Sequence, residues 1–147
     1  MPRCADVGVR MTFSVPVTVR GYELDTQGHL NQAVYLQYAE HARWELLRAA
    51  GLPQDKLLAD GVGPVALETT LKFRRELRGG DEVRVTCRFE FTRSRTFRIR
   101  QEILTVDDAV AAEVTALAGI LDLATRKLVP DPAERLRSLA DQADLLG

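Results

Sequence analysis

Cysteine is nearly absent from this chain of 147 residues: Cys4 and Cys87 are the only two. Two thiols so placed support no disulfide framework. Cys87 falls in a strand-like pattern, where a free cysteine behaves as a small buried hydrophobe. Histidine is equally scarce. His29 and His41 have no cysteine partner at ligand spacing, so neither a metal nor any other cofactor is expected. No apolar run approaches the roughly 18–20 residues that span a bilayer. Met1–Met11 also lacks the apolar stretch of a signal peptide. A formal net charge of −1 supplies no field to recruit nucleic acid or an acidic membrane. These absences leave a cytoplasmic enzyme or binding protein as the default, with neither nucleic acid nor membrane insertion expected.

What is present is ordinary globular material, 46% hydrophobic and 28% charged. The length suits one domain over residues 1–147, large enough to bury a full core unaided. Residues 1–11 read as a mobile end. From Thr12 to Arg20 the pattern alternates, with Phe13, Val15, Val17 and Val19 on one side, as in a half-buried strand. Pro16 removes a backbone donor, which places this strand at an edge or gives it a local irregularity. Gly21 to Leu30 reads as a loop, with Asp25-Thr26-Gln27-Gly28 carrying turn chemistry. Asn31 is a good helix N-cap. Gln32 to Ala50 has helical spacing through Val34, Tyr35, Tyr38, Ala39, Ala42 and Leu46, and Gly51 is placed to end the helix.

Four strands follow. Val65, Leu67, Leu71, Phe73 and Leu77 mark the first. Arg78-Gly79-Gly80-Asp81 reads as a hairpin turn. Val83 to Phe91 gives the second strand and Phe97 to Val106 the third. Val110 to Leu123 gives the fourth, whose small apolar content suits a central, doubly covered position. Residues 133–147 read as a C-terminal helix, exposed or packed on a partner, with Leu136, Leu139, Leu145 and Leu146 as its apolar side. A strand, a long helix and then a run of antiparallel strands argue an α+β fold with the helix on one face of the sheet.

The run Val19-Arg20-Gly21-Tyr22-Glu23-Leu24-Asp25-Thr26-Gln27-Gly28-His29-Leu30-Asn31 leads into Ala33-Val34-Tyr35-Leu36-Gln37-Tyr38-Ala39-Glu40-His41-Ala42-Arg43. This stretch resembles the hot-dog superfamily in its 4-hydroxybenzoyl-CoA thioesterase-like branch, over about Phe13 to Pro130. Asp25, Gly28, His29, Asn31 and Tyr35 match the family pattern. The resemblance implies a long central helix wrapped by a curved, largely antiparallel sheet. It further implies a homodimer or a dimer of dimers with active sites at the subunit interface, and acyl-CoA or acyl-carrier-protein thioesters as substrates. His29 beside Asn31 departs from the aryl-specific member that names the branch, which weighs against an aromatic acyl group.

Thioester hydrolysis needs a base or nucleophile, an oxyanion site and a grip on the carrier. The resemblance makes Asp25 the catalytic carboxylate, either activating water or attacking the carbonyl carbon. It places the oxyanion donor at the backbone N–H of Gln32, where the helix N-terminus is electropositive. Asn31 is a cap that could also orient Asp25 or water. His29 could hold the carbonyl, orient Asp25 or simply pack. Gly28 and Tyr35 join the substrate-binding set with the pattern. Arg93-Ser94-Arg95-Thr96 lies where the family places phosphate contacts to the CoA nucleotide, and arginine forks suit phosphate oxygens. Arg98 and Arg100 either continue that charge or form a solvated strand face paired with Glu90 and Glu102. Glu68 is a further candidate for the cleft wall. Glu40 is an alternative carboxylate on the helix, read in preference as helix surface. Leu52 to Gly63 could form a lid or pocket wall. The competing functions are a carrier-protein thioesterase, a hot-dog dehydratase or hydratase built on Asp25 and His29, and a non-catalytic acyl-CoA-binding domain.

Overall fold

The computed structural model of the protein describes residues 12–147. Cys4 and the expected mobile segment 1–11 lie outside the described residues. The elements run β1 (Phe13–Thr18), α1 (Gln32–Ala49), α2 (Gln54–Ala59), β2 (Val62–Phe73), β3 (Glu82–Phe91), β4 (Thr96–Thr105), β5 (Val110–Asp122) and α3 (Pro132–Leu139). Short 3-10 turns occupy Gly21–Glu23 and Ala143–Leu146. The five strands form one curved antiparallel sheet in the order β1-β3-β4-β5-β2. One long helix on this sheet is the hot-dog arrangement.

α1 begins where its chemistry says it should. The Asn31 side chain accepts from the Ala33 N–H at 2.9 Å, and the helix ends at Ala50 before Gly51, whose φ of +87° suits glycine. Tyr35, Tyr38, Ala39, Ala42, Leu46 and Leu47 are its buried positions. All of them but Ala39 join Val83, Val85, Cys87 and Phe89 of β3 and Phe97, Ile99 and Ile103 of β4 in one core. Small Ala39 and Ala42, both fully buried, let the helix sit close to the sheet. Gln101, on the inner side of β4, is only 2% exposed. Its amide donates to the carbonyls of Ala39 (2.8 Å) and Thr86 (3.3 Å) and accepts from Arg43 Nε at 2.7 Å. That one side chain ties helix to sheet with its polar atoms satisfied.

Pro16 lies on edge strand β1, as its missing donor requires. Other expectations need correction. Arg78–Asp81 is a tight turn, closed by Asp81 N–H donating to Arg78 O, but not a hairpin. β2 pairs only with β5, while β3 pairs with β1 and β4, so this turn ends a crossover between opposite sides of the sheet. The first of the four predicted strands stops at Phe73 instead of Leu77, because the N–H groups of Arg74 and Arg75 both turn to one carbonyl, Ala111. Leu67 sits at a register shift between Ala66 and Glu68 and is 48% exposed. β5 is interior but not central, and only its Ala112, Val114, Ala116, Ala118 and Ile120 side is buried along its whole length; on the other side Ala111 is buried as well. Its Glu113, Thr115 and Leu117 are half-buried. The C-terminal helix ends at Leu139, where the N–H groups of Asp141 and Gln142 bind Ala50 O. Leu136 and Leu146 pack into the chain's own core instead of facing outward.

Candidate active site

The loop between β1 and α1 is held at both ends. Glu23 Oε1 accepts from Arg20 N–H at 2.9 Å and from the Tyr38 hydroxyl at 2.6 Å, and Glu23 O accepts from Asn31 N–H. Burial first, and then the bond to the Glu23 carboxylate, push the Tyr38 hydroxyl pKa upward, so it remains a donor. Between these anchors the chain doubles back. Asp25 N–H donates to His29 O at 2.7 Å and Gly28 N–H to Asp25 O at 3.1 Å. Gly28 has a φ of +79°, a conformation that costs a residue with a Cβ.

That turn aims two N–H groups at one carboxylate oxygen. Asp25 Oδ1 accepts from Gln27 at 2.9 Å and from His29 at 3.1 Å. The His29 bond, then the Gln27 bond, hold the exposed carboxyl below its ordinary 3.8. Asp25 Oδ2 has no hydrogen-bond partner among the described residues. Gln32 is the first residue of α1, and its N–H likewise has no acceptor among them, whereas the next N–H is capped by Asn31.

Asp25, His29, Asn31, Gln32 and Tyr35 line one cleft of about 610 Å³. The buried Tyr35 ring meets Phe73 edge to face, with centroids 5.1 Å apart. Burial pushes the Tyr35 hydroxyl pKa upward, and the charges of Asp25 and Glu76 add to this. The other wall is Phe73, Arg74, Arg75 and Glu76, which the sequence reading did not select. The charged run Arg74-Arg75-Glu76, directly after an apolar strand, is the one signal that could have suggested it. Glu76 Oε2 lies 2.7 Å from His29 Nε2, and Glu76 Oε1 accepts from Arg78 at 2.9 Å. The site therefore juxtaposes an ionised carboxylate, a free helix-terminal N–H, a histidine and an aromatic floor. That set can polarise a carbonyl and direct water at it.

The remaining candidates lie elsewhere. Gly28 shapes the loop but is not in the cleft wall. Glu68 faces Leu117 across the β2–β5 ladder, at an exposed edge. Arg93, Ser94 and Arg95 form the β3–β4 turn. Arg95 donates to Leu128 O at 3.1 Å, and Ser94 Oγ is 3.4 Å from Thr96 Oγ1. On β5, Thr96 is level with Gly119 while Phe73 is level with Ala112. These levels are about 23 Å apart at the usual strand rise, so the turn and the cleft of one chain sit at opposite ends of the sheet. Arg100 bonds Glu90 at 2.7 Å, the cross-strand pairing that was its alternative reading. Glu40 borders a separate, mostly apolar pocket of about 100 Å³ together with Arg43 and Trp44.

Comparison with known proteins bears on this site. The chain is 38% identical over 85 residues to the acyl-acyl carrier protein thioesterase ATL3 of Arabidopsis thaliana, covering 58% of this chain and 45% of that protein. It is 29% identical over 112 residues to the long-chain acyl-CoA thioesterase FadM of Escherichia coli, covering 76% and 84%. The chain spans less than half the length of the two chloroplast relatives it matches. A crystal structure of an Aquifex aeolicus protein superposes with a TM-score of 0.77 at 28% identity, covering 86% of this chain and 98% of that one. The thioesterase-like superfamily model matches residues 19–139, and the chain belongs to that family.

Proposed function

We propose that this chain is an acyl-CoA thioesterase with Asp25 as its catalytic carboxylate. The observation that carries this reading is one cleft holding both the backbone-anchored Asp25 carboxylate and the unoccupied N–H of Gln32. In the reaction a water oxygen bonds to the carbonyl carbon as Asp25 accepts a water proton. The carbonyl oxygen becomes an oxyanion facing the Gln32 N–H and the positive end of α1. Collapse breaks the C–S bond, and the proton held by Asp25 passes to the departing sulfur. The products are a carboxylic acid and a free thiol, with the aspartate restored. Direct attack by Asp25 would pass through an anhydride and yield the same products. Asn31 caps α1, and Tyr35 with Phe73 forms the floor beneath the acyl group.

The Arg93–Arg95 turn is proposed as the CoA phosphate grip. A second copy brings it to the cleft. β2 is an edge strand, and its unpaired backbone groups can pair with another chain. Two β2 edges joined antiparallel about a two-fold axis set the Phe73 end of one beside the Val62 end of the other. Val65 is level with Gly119 and hence with Thr96, so each cleft meets the turn of its neighbour. We propose this homodimer as the working unit, with Glu68 near its axis. No helix among the described residues is long and apolar enough to cross a membrane, and a cytoplasmic location belongs to the same proposal.

The test is thiol release from short, medium, long and aromatic acyl-CoAs by wild type and Asp25→Asn. Wild-type turnover that falls by about 10²–10⁴ in Asp25→Asn, with the fold intact, is the expected result. Turnover only of carrier-protein thioesters would favour an acyl-carrier-protein thioesterase, the activity for which ATL3 is named. Loss or gain of an enoyl chromophore without thiol release would replace hydrolysis by hydration chemistry.

A further inference from the structure

Among the described residues, Glu76 is the one acidic side chain in the cleft wall besides Asp25. Its placement follows from the backbone. Leu30 N–H donates to Leu77 O at 2.7 Å, and His29 bridges Arg78, so residues 77–78 are docked along the active-site loop. Leu77 is 1% exposed and anchors that segment in the core. The side chain before it turns the opposite way, toward His29. Glu76 Oε2 lies 2.7 Å from His29 Nε2, with the imidazole 27% exposed. Oε1 is held by Arg78, and that bond, the largest cause, keeps the Glu76 carboxyl below its ordinary value. Glu76 is thus an anion fixed from one side and presented to His29 from the other. His29 Nδ1 has no partner among the described residues.

We propose that Glu76 is the positioning residue of this site, resting on the reading of Asp25 given above. Its carboxylate accepts from Nε2–H of His29, fixes the ring and leaves Nδ1 as the acceptor nitrogen that meets the attacking water. A histidine's free nitrogen is defined by what its other nitrogen binds. His29 is also the residue whose backbone N–H anchors Asp25 Oδ1, so one residue couples the Glu76 and Asp25 sides of the cleft. The arrangement needs no proton from His29 to balance hydrolysis; its part is to accept a hydrogen bond from the attacking water and aim that water at the carbonyl carbon. An ordinary surface ion pair between Glu76 and Arg78 would leave kinetics untouched.

The experiment combines steady-state kinetics with nitrogen NMR on untagged protein. Wild type, Glu76→Gln, His29→Ala, the double variant and Asp25→Asn are compared on one acyl-CoA. Glu76→Gln keeps the shape and removes the charge. The expected result is a fall in kcat of about tenfold with KM unchanged, and a double variant no slower than His29→Ala. The chain has two histidines, so the His29 ring signals are assigned by their absence from His29→Ala. They should shift in Glu76→Gln while those of His41 stay in place. Wild-type kcat in Glu76→Gln, or additive losses in the double variant, alongside inactive Asp25→Asn, overturns the proposal and leaves the Asp25 reading standing. If Asp25→Asn stays active, the Asp25 reading fails, and the ring signals then decide: unmoved His29 resonances in Glu76→Gln overturn the Glu76 assignment as well.

Discussion

Asp25 shares with Asp122 a carboxylate held by two backbone N–H groups of its own turn, but of the two only Asp25 lines the cleft. Two backbone N–H groups from its own turn converge on Oδ1, and a carboxylate so solvated by the chain favours its charged form. The folded value lies below 3.8, so any stability it contributes is present above the unfolded value and disappears as pH falls through the folded one. The consequence for the catalytic role proposed for Asp25 has the same sign: the carboxylate is ionised at neutral pH. The acid limb of kcat/KM for the free enzyme should therefore lie below pH 3.8, with no loss from Asp25 between about pH 5 and pH 8. A pH series with circular dichroism at each point separates this limb from acid unfolding. A limb near about pH 6 that persists in His29→Ala would mean that the carboxylate is desolvated in the working enzyme. Cys87 shows the opposite case: 2% exposed, it has its thiol pushed up to about 12 by burial, which suits packing and not nucleophilic chemistry.

At the scale of elements, the helix-to-sheet tie through Gln101 is the feature with the clearest energetic consequence. Gln101→Ala removes the acceptor of the half-buried Arg43 guanidinium and the donor to Ala39 O and Thr86 O, and it opens a cavity beneath α1. An unfolding free energy lower by about 2–4 kcal/mol is expected, read from the urea midpoint at unchanged slope. A loss under about 0.5 kcal/mol would mean that water replaces the amide. Gln101 was not foreseen, since its position in an alternating strand says only that it points inward. The same contrast runs through the fold. Asn31 as cap, Gly51 as terminator and the helix from Gln32 were legible because each depends on neighbours within a turn or two. The β2–β5 pairing, the bulge at Leu67 and the early end of β2 depend on Ala111 and other residues about forty to sixty positions away, where periodicity has no reach. The site divides likewise: Asp25 to Tyr35 is contiguous and was readable, whereas Glu76 enters the cleft only because Leu77 docks on Leu30.

For the whole molecule, the central fact is the distance between the cleft proposed for the chemistry and the turn proposed as carrier grip. The Asp25 cleft and the Arg93–Arg95 turn are separated by about 23 Å of sheet, as the levels of Phe73 and Thr96 on β5 show. Within one chain they cannot serve one active site, whereas the proposed pairing of the β2 edges would bring each to its counterpart. The exposed Leu67 on that edge supplies apolar surface for such a contact. Complementation between two defective chains tests this arrangement. Asp25→Asn lacks the carboxylate, and Arg93→Ala/Arg95→Ala lacks the grip, so each should be slow alone on acyl-CoA. Mixing them with reassortment of subunits makes about half of the dimers heterodimers, each carrying one site in which both parts are intact. Recovery to about a quarter of wild-type kcat/KM is the expected outcome. If grip and carboxylate acted within one chain, every site in the mixture would keep a defect. The rate would then stay at the average of the two variants, and the two-chain site would have to be abandoned.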